Sequence, residues 1–239
     1  MIRCAFVLFA LTPLAVAAPV PKESETEKIK KLYGEIVDPD KDCKFKLDGE
    51  KLLITMPGGK RYEYWDLDEK PPWNQANDWK ALTNCPRVLR EIEGDFVVTV
   101  RAYASLPKEP KPAEGTLAEA GAGIIVVNDK GRVWRAGTHD FLSGKGQRDL
   151  MAIIPGSHGP SGFELTPGSE GVGLDMRFVR QGDRIRLEHT NDGKKWFGGF
   201  STAVDKEGKL KVGVYGFSNS KSDTTVTFEK FEVKPVEKK

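Results

Sequence analysis

The feature that most limits what this chain can become is an alternation of apolar and polar residues with a period of two. Phe96, Val98, Val100 and Ala102 alternate with Val97, Thr99, Arg101 and Tyr103. Ile185, Leu187 and His189 alternate with Arg184, Arg186 and Glu188, and Leu210, Val212 and Val214 with Lys211, Gly213 and Tyr215. Successive side chains of a strand point to opposite faces, so this pattern predicts strands buried on one side only. Further strands are predicted over 51–56, 87–92, 121–128, 132–136, 149–154, 172–180 and 224–233, each bounded by Gly, Pro, Asn or Asp. No amphipathic helices lie between them, and a parallel sheet would need crossover helices. The expected fold is therefore all-β, a two-sheet antiparallel sandwich in one domain. In the last strand Val226 and Phe228 share one phase while Phe231 and Val233 share the other, which requires an extra residue, a bulge, near Glu229 and Lys230.

Composition agrees. The 25 Gly and 15 Pro suit turns and disfavour long helices. One short helix is expected: Ser24 and Glu27 have capping-box spacing, and Ile29, Leu32 and Tyr33 fall on one face before Gly34. Lys and Arg exceed Asp and Glu by 37 − 35 = 2, which gives no electrostatic case for nucleic acid as a partner.

Residues 1–18 read as a secretory signal, with a basic start, an apolar run broken at Thr12 and Pro13, and a small-x-small ending at Ala15-Val16-Ala17. The run is too short to span a bilayer of ~30 Å, and no later stretch reaches ~18 apolar residues, so no membrane insertion is expected. The expected organisation is signal 1–18, charged segment 19–35, sandwich 36–234 and charged tail 235–239, with the mature chain secreted or periplasmic. In such a compartment Cys43 and Cys85 either form one disulfide or remain as two buried thiols, and the expectation carried forward is the disulfide.

Catalytic signatures are missing. There is no Glu-x-Asp-x-x-Glu on a strand, no His-Glu-x-x-His and no Gly-x-Ser-x-Gly, so neither laminarinase, zincin nor α/β-hydrolase chemistry has an anchor. The Gly121/Gly123 and Gly171/Gly173 pairs open strands, not helices, and read as bulge or close-packing glycines. Asp38-Pro39-Asp40-Lys41-Asp42 alternates carboxylates as calcium loops do, but an EF-hand would need Gly at Cys43 and Glu at Gly49. No cofactor is assigned; a looser calcium site stays open beside the plainer reading, a turn into the first strand. The three histidines have no metal-site spacing, and His189, on the apolar phase of its strand, reads as an interior residue.

Three stretches fall outside the strand pattern: 65–83, 107–120 and 142–171. The middle one reads as a solvated excursion, and the outer two carry aromatic, amide, Arg and His residues. Flat rings interleaved with amides and guanidinium groups suit sugars, whose C–H faces stack while their hydroxyls take paired hydrogen bonds. The candidate ligand-binding residues are Trp65, Trp73, Asn74, Trp79, Trp134, Arg135, His139 and His158, with His139 placed in a polar turn. Trp196, after the turn Asn191-Asp192-Gly193, reads as a core aromatic.

Several phrases resemble a known group. Asp38-Pro39-Asp40-Lys41-Asp42-Cys43, Asn84-Cys85-Pro86-Arg87-Val88-Leu89-Arg90, Glu93-Gly94-Asp95-Phe96, Arg180-Gln181-Gly182-Asp183 and Asn191-Asp192-Gly193-Lys194-Lys195-Trp196 resemble small secreted domains of unknown function in the concanavalin A-like lectin/glucanase superfamily, related to the C-terminal domain of some β-xylosidases. The resemblance covers 36–233 and implies a jelly roll of two curved antiparallel sheets. Its members usually have a small residue where Cys85 stands, so a Cys43–Cys85 bridge does not follow from it. The xylosidase relatives keep their catalytic acids on a separate domain that this chain lacks. The expected function is a non-catalytic module binding carbohydrate or another extracellular ligand. The alternatives are a glycan-active enzyme whose carboxylate pair comes from separate strands, and an envelope-associated structural protein.

Overall fold

The computed structural model describes residues 23–63, 83–105, 111–113, 118–141, 147–153, 161–164, 174–190, 192–204 and 209–236; for 139–141, 147–153, 161–164 and Phe200 it describes the backbone alone. In chain order these form α1 (Glu25–Leu32), β1 (Glu35–Val37), β2 (Lys44–Asp48), β3 (Lys51–Met56), β4 (Arg87–Ile92), β5 (Phe96–Ser105), β6 (Glu119–Asn128), β7 (Val133–Phe141), β8 (Gln147–Ile153), β9 (Ser161–Glu164), β10 (Leu174–Gln181), β11 (Arg184–Thr190), β12 (Phe197–Ala203), β13 (Leu210–Ser218) and β14 (Thr224–Pro235). Two seven-stranded sheets result. A front sheet has the order β1-β4-β13-β6-β7-β8-β9, and a back sheet the order β12-β11-β10-β5-β14-β3-β2.

The period-two pattern decides which side of each strand meets the other sheet. Val98, Val100 and Ala102 of β5 and Met176 and Phe178 of β10 face Ile124 and Val126 of β6, Trp134 of β7 and Val212 and Val214 of β13 in one buried cluster. The expected bulge is present: Glu229 pairs with Arg101 and Glu232 with Thr99, three steps on β14 against two on β5, and Lys230 takes φ +55°. That extra residue returns Phe231 and Val233 to contact with the core.

The expected helix is also present, with the Glu27 N–H donating to Ser24 Oγ at 3.2 Å. Ile29 and Tyr33 are buried, and the Tyr33 hydroxyl lies 2.7 and 3.1 Å from the carbonyl oxygens of Glu50 and Phe228. Leu32 departs from the expectation, being 39% exposed. The Arg90 guanidinium donates to the carbonyls of Lys31 and Leu32, at 3.2 and 2.6 Å, and so supplies partners for carbonyls that the helix end leaves open. Gly34 then holds φ +126° where a Cβ would meet the Leu89 and Arg90 backbone, a position closed to any other residue.

Four short strands were not expected: β1, β2, β9 and β12. With β8 and β9, the stretch 142–171 contributes pairing strands to the front sheet. The turn at Asp38 to Asp42 joins β1 to β2 and so follows the first strand instead of leading into it.

Candidate functional site

In the front sheet the side chains on the phase opposite to the core are unusual for an outer surface. Cys85, Leu89 of β4, Ile125 of β6, Val133 of β7, and Tyr215 and Phe217 of β13 form a second buried cluster. Among them sit the buried charges of Glu63 and Arg135. The Tyr215 and Phe217 rings stack with centroids 6.2 Å apart at 18°. They lie over positions without side chains: a Cβ at Gly121 would strike the Phe217 ring, and one at Gly137 would come within 2.9 Å of the Tyr215 hydroxyl. Of the two expected readings, bulge or close packing, Gly121 and Gly123 take the close-packing one. The Arg135 guanidinium carbon is 5.5 Å from the centre of the Tyr215 ring.

Electrostatics follow from that burial. Desolvation pushes the Tyr215 hydroxyl up to about 12, opposed by the positive charge of Arg135. Desolvation likewise raises the Cys85 thiol to about 11, opposed by Arg87 and Arg135. Glu63 pairs with Arg61 at 2.6 Å, and Arg61 reaches Glu119 at 3.6 Å. Cys85 is therefore a protonated packing residue at neutral pH and not a nucleophile.

The same place fastens both ends of the tryptophan-bearing segment. The Cys85 N–H donates to the Glu63 carbonyl at 3.0 Å, and the Glu63 N–H donates to Asn84 Oδ1 at 3.0 Å. The Asn84 side-chain amide donates to the Arg61 carbonyl, and Arg87 Nη1 donates to the Thr83 and Cys85 carbonyls at 3.3 and 3.0 Å. Chain leaving at Glu63 thus returns at Thr83 beside Arg87 and Tyr215.

Register adds a further row. Phe217 pairs with Gly121, Gly121 with His139, His139 with Asp149, and Asp149 with Glu164. His139 is in phase with Arg135 and lies within β7, not in a turn. Arg135 and His139 are therefore brought to one sheet face.

Trp134 is corrected out of the site. It stands on the opposite phase from Arg135, is 2% exposed, and belongs to the core between the sheets. Trp65, Trp73, Asn74, Trp79 and His158 lie outside the described residues. The disulfide is corrected as well: Cys43 and Cys85 are both free, Cys43 against the main core and Cys85 in the cluster on the outer phase of the front sheet. Trp196 is corrected from core to surface. It is half-buried on the outer side of the back sheet, with the Arg177 guanidinium 4.0 Å above its ring. His189 is half-buried 5.8 Å from the Phe197 ring, and burial lowers its pKa.

The Asp38–Asp42 turn can be judged directly. Asp38, Asp42 and Cys43 hold potential ligand atoms within 4.8 Å of one another. The Asp38 carboxylate accepts the N–H groups of Lys41 and Cys43, however, and the Lys60 ammonium pairs with Asp40 at 2.6 Å and Asp42 at 2.5 Å. A lysine already supplies the positive charge there, and the carboxylates shape the turn.

Sequence reasoning missed Arg61, Glu63, Arg87, Tyr215 and Phe217. The usable signal was in β13, where Tyr215 and Phe217 place two aromatics on the phase that Val212 and Val214 leave to the outside. Glu63 carried none.

No protein-family model and no curated protein matches the sequence. Among solved structures, a functionally unknown protein from Saccharomyces cerevisiae superposes with TM-score 0.62 at 15% identity, over 85% of this chain and 96% of that one. The GH43 protein BlXynB from Bacillus licheniformis superposes with TM-score 0.50 at 15% identity, over 85% of this chain but only 36% of its own. The chain thus spans about a third of that neighbour's length. At these identities what is shared is the fold. With the sheet order above, the class is a two-sheet antiparallel jelly roll of the concanavalin A-like kind.

Proposed function

We propose that the chain is an exported, non-catalytic module that binds carbohydrate through the segment anchored on the outer face of the front sheet. The observation that carries the reading is the convergence at Glu63, Asn84 and Cys85 of both ends of the segment bearing Trp65, Trp73, Asn74 and Trp79, next to half-buried Arg87 and buried Arg135 and Tyr215. Stems held by several hydrogen bonds over a packed floor let a loop present rings and amides with little ordering cost on binding. The fold shared with a GH43 protein is consistent with a glycan ligand and does not by itself select it.

The test is a glycan array followed by calorimetry on the exported chain. One glycan class is expected to bind, and Trp73→Ala is expected to weaken that binding at an unchanged melting temperature. A chain that binds nothing on a broad array, or binds equally after substitution of Trp65, Trp73 and Trp79, overturns the reading.

One observation favours a second reading, a glycan-active enzyme. Asp149 and Glu164 are directly opposed on β8 and β9, in the row that contains His139. Directly opposed residues share a sheet face with Cβ atoms roughly 5 Å apart, and a retaining glycosidase needs two carboxylic side chains on one surface. Glycan cleavage abolished by both Asp149→Asn and Glu164→Gln would establish it.

A further inference from the structure

The back sheet has an outer face of its own, and one end of it differs from the rest. Toward β5 the charges are matched: Arg101 donates to both oxygens of Asp175 at 2.7 Å. Toward β11 and β12 they are not. Arg177 and Arg186 share the single carboxylate of Glu188, each through its Nε at 2.6 Å. Arg184 is turned to the Ser201 hydroxyl and carbonyl, at 3.1 and 3.3 Å, and has no ion pair among the described residues. Asp192 spends its carboxylate on its own turn, accepting the N–H groups of Lys194 and Lys195 and the Thr190 hydroxyl. On this face of β10 and β11, beyond the matched Asp175, three guanidinium groups (Arg177, Arg184 and Arg186) therefore stand against the single carboxylate of Glu188, an excess of 3 − 1 = 2. The whole chain has a net charge of +2. The excess on this face lies on the paired strands β10 and β11, over roughly 20 Å.

The same stripe holds aromatic surface that the fold does not bury. The Trp196 ring stands at one end of it, half-buried, with Arg177 packed on it at 4.0 Å, while Phe197, opposite His189, lies on the other side of the sheet. Between the ring and the arginines, Gly198 lies directly opposite Glu188, and a Cβ built there would meet nothing within 4 Å. Glycine in a strand with open space above it leaves room for another molecule's close approach. Arg186, 46% exposed at its side chain, borders that notch.

We propose that this stripe is a second binding surface, independent of the front sheet, and that its ligand is an acidic polysaccharide. Carboxylate-bearing sugar units match the two features found together. The Nη edges of Arg184 and Arg186, whose Nε groups are held by Ser201 and Glu188, can donate paired hydrogen bonds to a carboxylate, and the Trp196 ring beside the Gly198 notch offers a flat apolar face to a sugar ring. Glu188 holds Arg177 and Arg186 in place before any ligand arrives, which lowers the ordering cost of binding.

The test uses affinity electrophoresis of the exported chain through gels containing polygalacturonate, with fully methyl-esterified polygalacturonate as the neutral counterpart. Retardation by the acid form alone is expected, and it should weaken as salt shortens the screening length from ~10 Å at 0.1 M. Arg184→Gln with Arg186→Gln should weaken it about five- to tenfold, and Trp196→Ala by a similar factor, while Trp196→Phe and Trp73→Ala retain it. Circular dichroism and melting temperature identify any variant that has lost its fold, and Trp196→Phe keeps the aromatic requirement testable in that event. Failure of the wild-type chain to be retarded by polygalacturonate overturns the proposal, as does retardation unchanged in the arginine double variant. Stronger arginine-dependent binding to single-stranded DNA or to phosphatidylserine vesicles than to polygalacturonate also overturns it. Loss of neutral-glycan binding in Trp73→Ala bears only on the front-sheet reading.

Discussion

Trp134 and Trp196 offer a measurement whose ordering reverses what the sequence suggests. Trp134 is 2% exposed between the sheets, so Trp134→Ala removes a fully buried ring and leaves a cavity, at a cost of about 3–5 kcal/mol. For a domain of this size each kcal/mol lowers the melting temperature by roughly 2–4 °C, so the expected fall is about 6–20 °C. Trp196 keeps one side toward solvent and contributes its contact with Arg177, worth ~0.5–1 kcal/mol, plus part of its area. Trp196→Ala should therefore cost only ~1 kcal/mol. Trp134→Phe separates two terms. The indole N–H of Trp134 is buried with no acceptor among the described residues, a burden of ~1–3 kcal/mol that phenylalanine lacks, while the smaller ring loses packing. The two oppose each other, and the variant should remain within ~1 kcal/mol of wild type. Urea unfolding followed by fluorescence and circular dichroism gives all three values. A Trp196→Ala cost above that of Trp134→Ala, or a Trp134→Phe cost equal to that of Trp134→Ala, would refute the placement of these rings.

Denatured, unreduced protein lacking residues 1–18 should titrate two thiols, Cys43 and Cys85, and a count of zero would restore the bridge; in the native state Cys85 should alkylate slowly, because burial holds its thiol at about 11. Stability should fall as pH drops below about 6.5, since burial depresses the His189 pKa and the unfolded chain then binds the extra proton; His189→Gln should flatten that limb between pH 7 and 5. A second fall should begin below about 4.5. Burial alone would raise the Glu188 pKa, but the hydrogen bonds from Arg177 and Arg186 outweigh it and hold the carboxyl low, so its stabilising pairs are lost on protonation; a Glu188→Gln protein with an unaltered acid limb would contradict this. Lys230→Val should destabilise by ~1–2 kcal/mol at a solvent-facing position, because a β-branched residue fits φ +55° poorly, while Lys230→Gly should cost nothing measurable. Gly137→Ala should destabilise by ~1–3 kcal/mol by displacing the Tyr215 hydroxyl, and an unchanged unfolding midpoint would argue against the ring lying on that floor.

Much of the fold is written locally. Alternation placed β5, β11 and β13, the phase change from Val226 and Phe228 to Phe231 and Val233 located the β14 bulge, and Ser24 with Glu27 located the start of α1. Each rests on a few consecutive residues whose period or capping chemistry is independent of the rest of the chain. β1 carries too few residues to show a period, and β12, with glycines at 198 and 199, shows no alternation; both are edge strands whose hydrogen bonds come from a neighbouring strand.

The candidate site was legible in residue type more than in position. Arg135 and His139 were both named as candidates, but His139 was placed in a turn, and the length of β7 that sets the two on one face came from its pairing with β6 and β8. Trp134 and Trp196 look alike in sequence, each beside an arginine or lysine and a strand. Their exchange of roles was decided by which side of its sheet each faces, and a strand with apolar residues on both phases, such as Val133-Trp134 before Arg135, does not reveal which side that is. Likewise no local rule sets Cys43 and Cys85 in separate clusters, or gathers Arg177, Arg186 and Trp196 around Glu188. Sequence alone determined the strands and the residue chemistry available on each; only the pairing of the two sheets decided which of those residues meet, because strand register and sheet order are set by contacts between segments far apart in the chain.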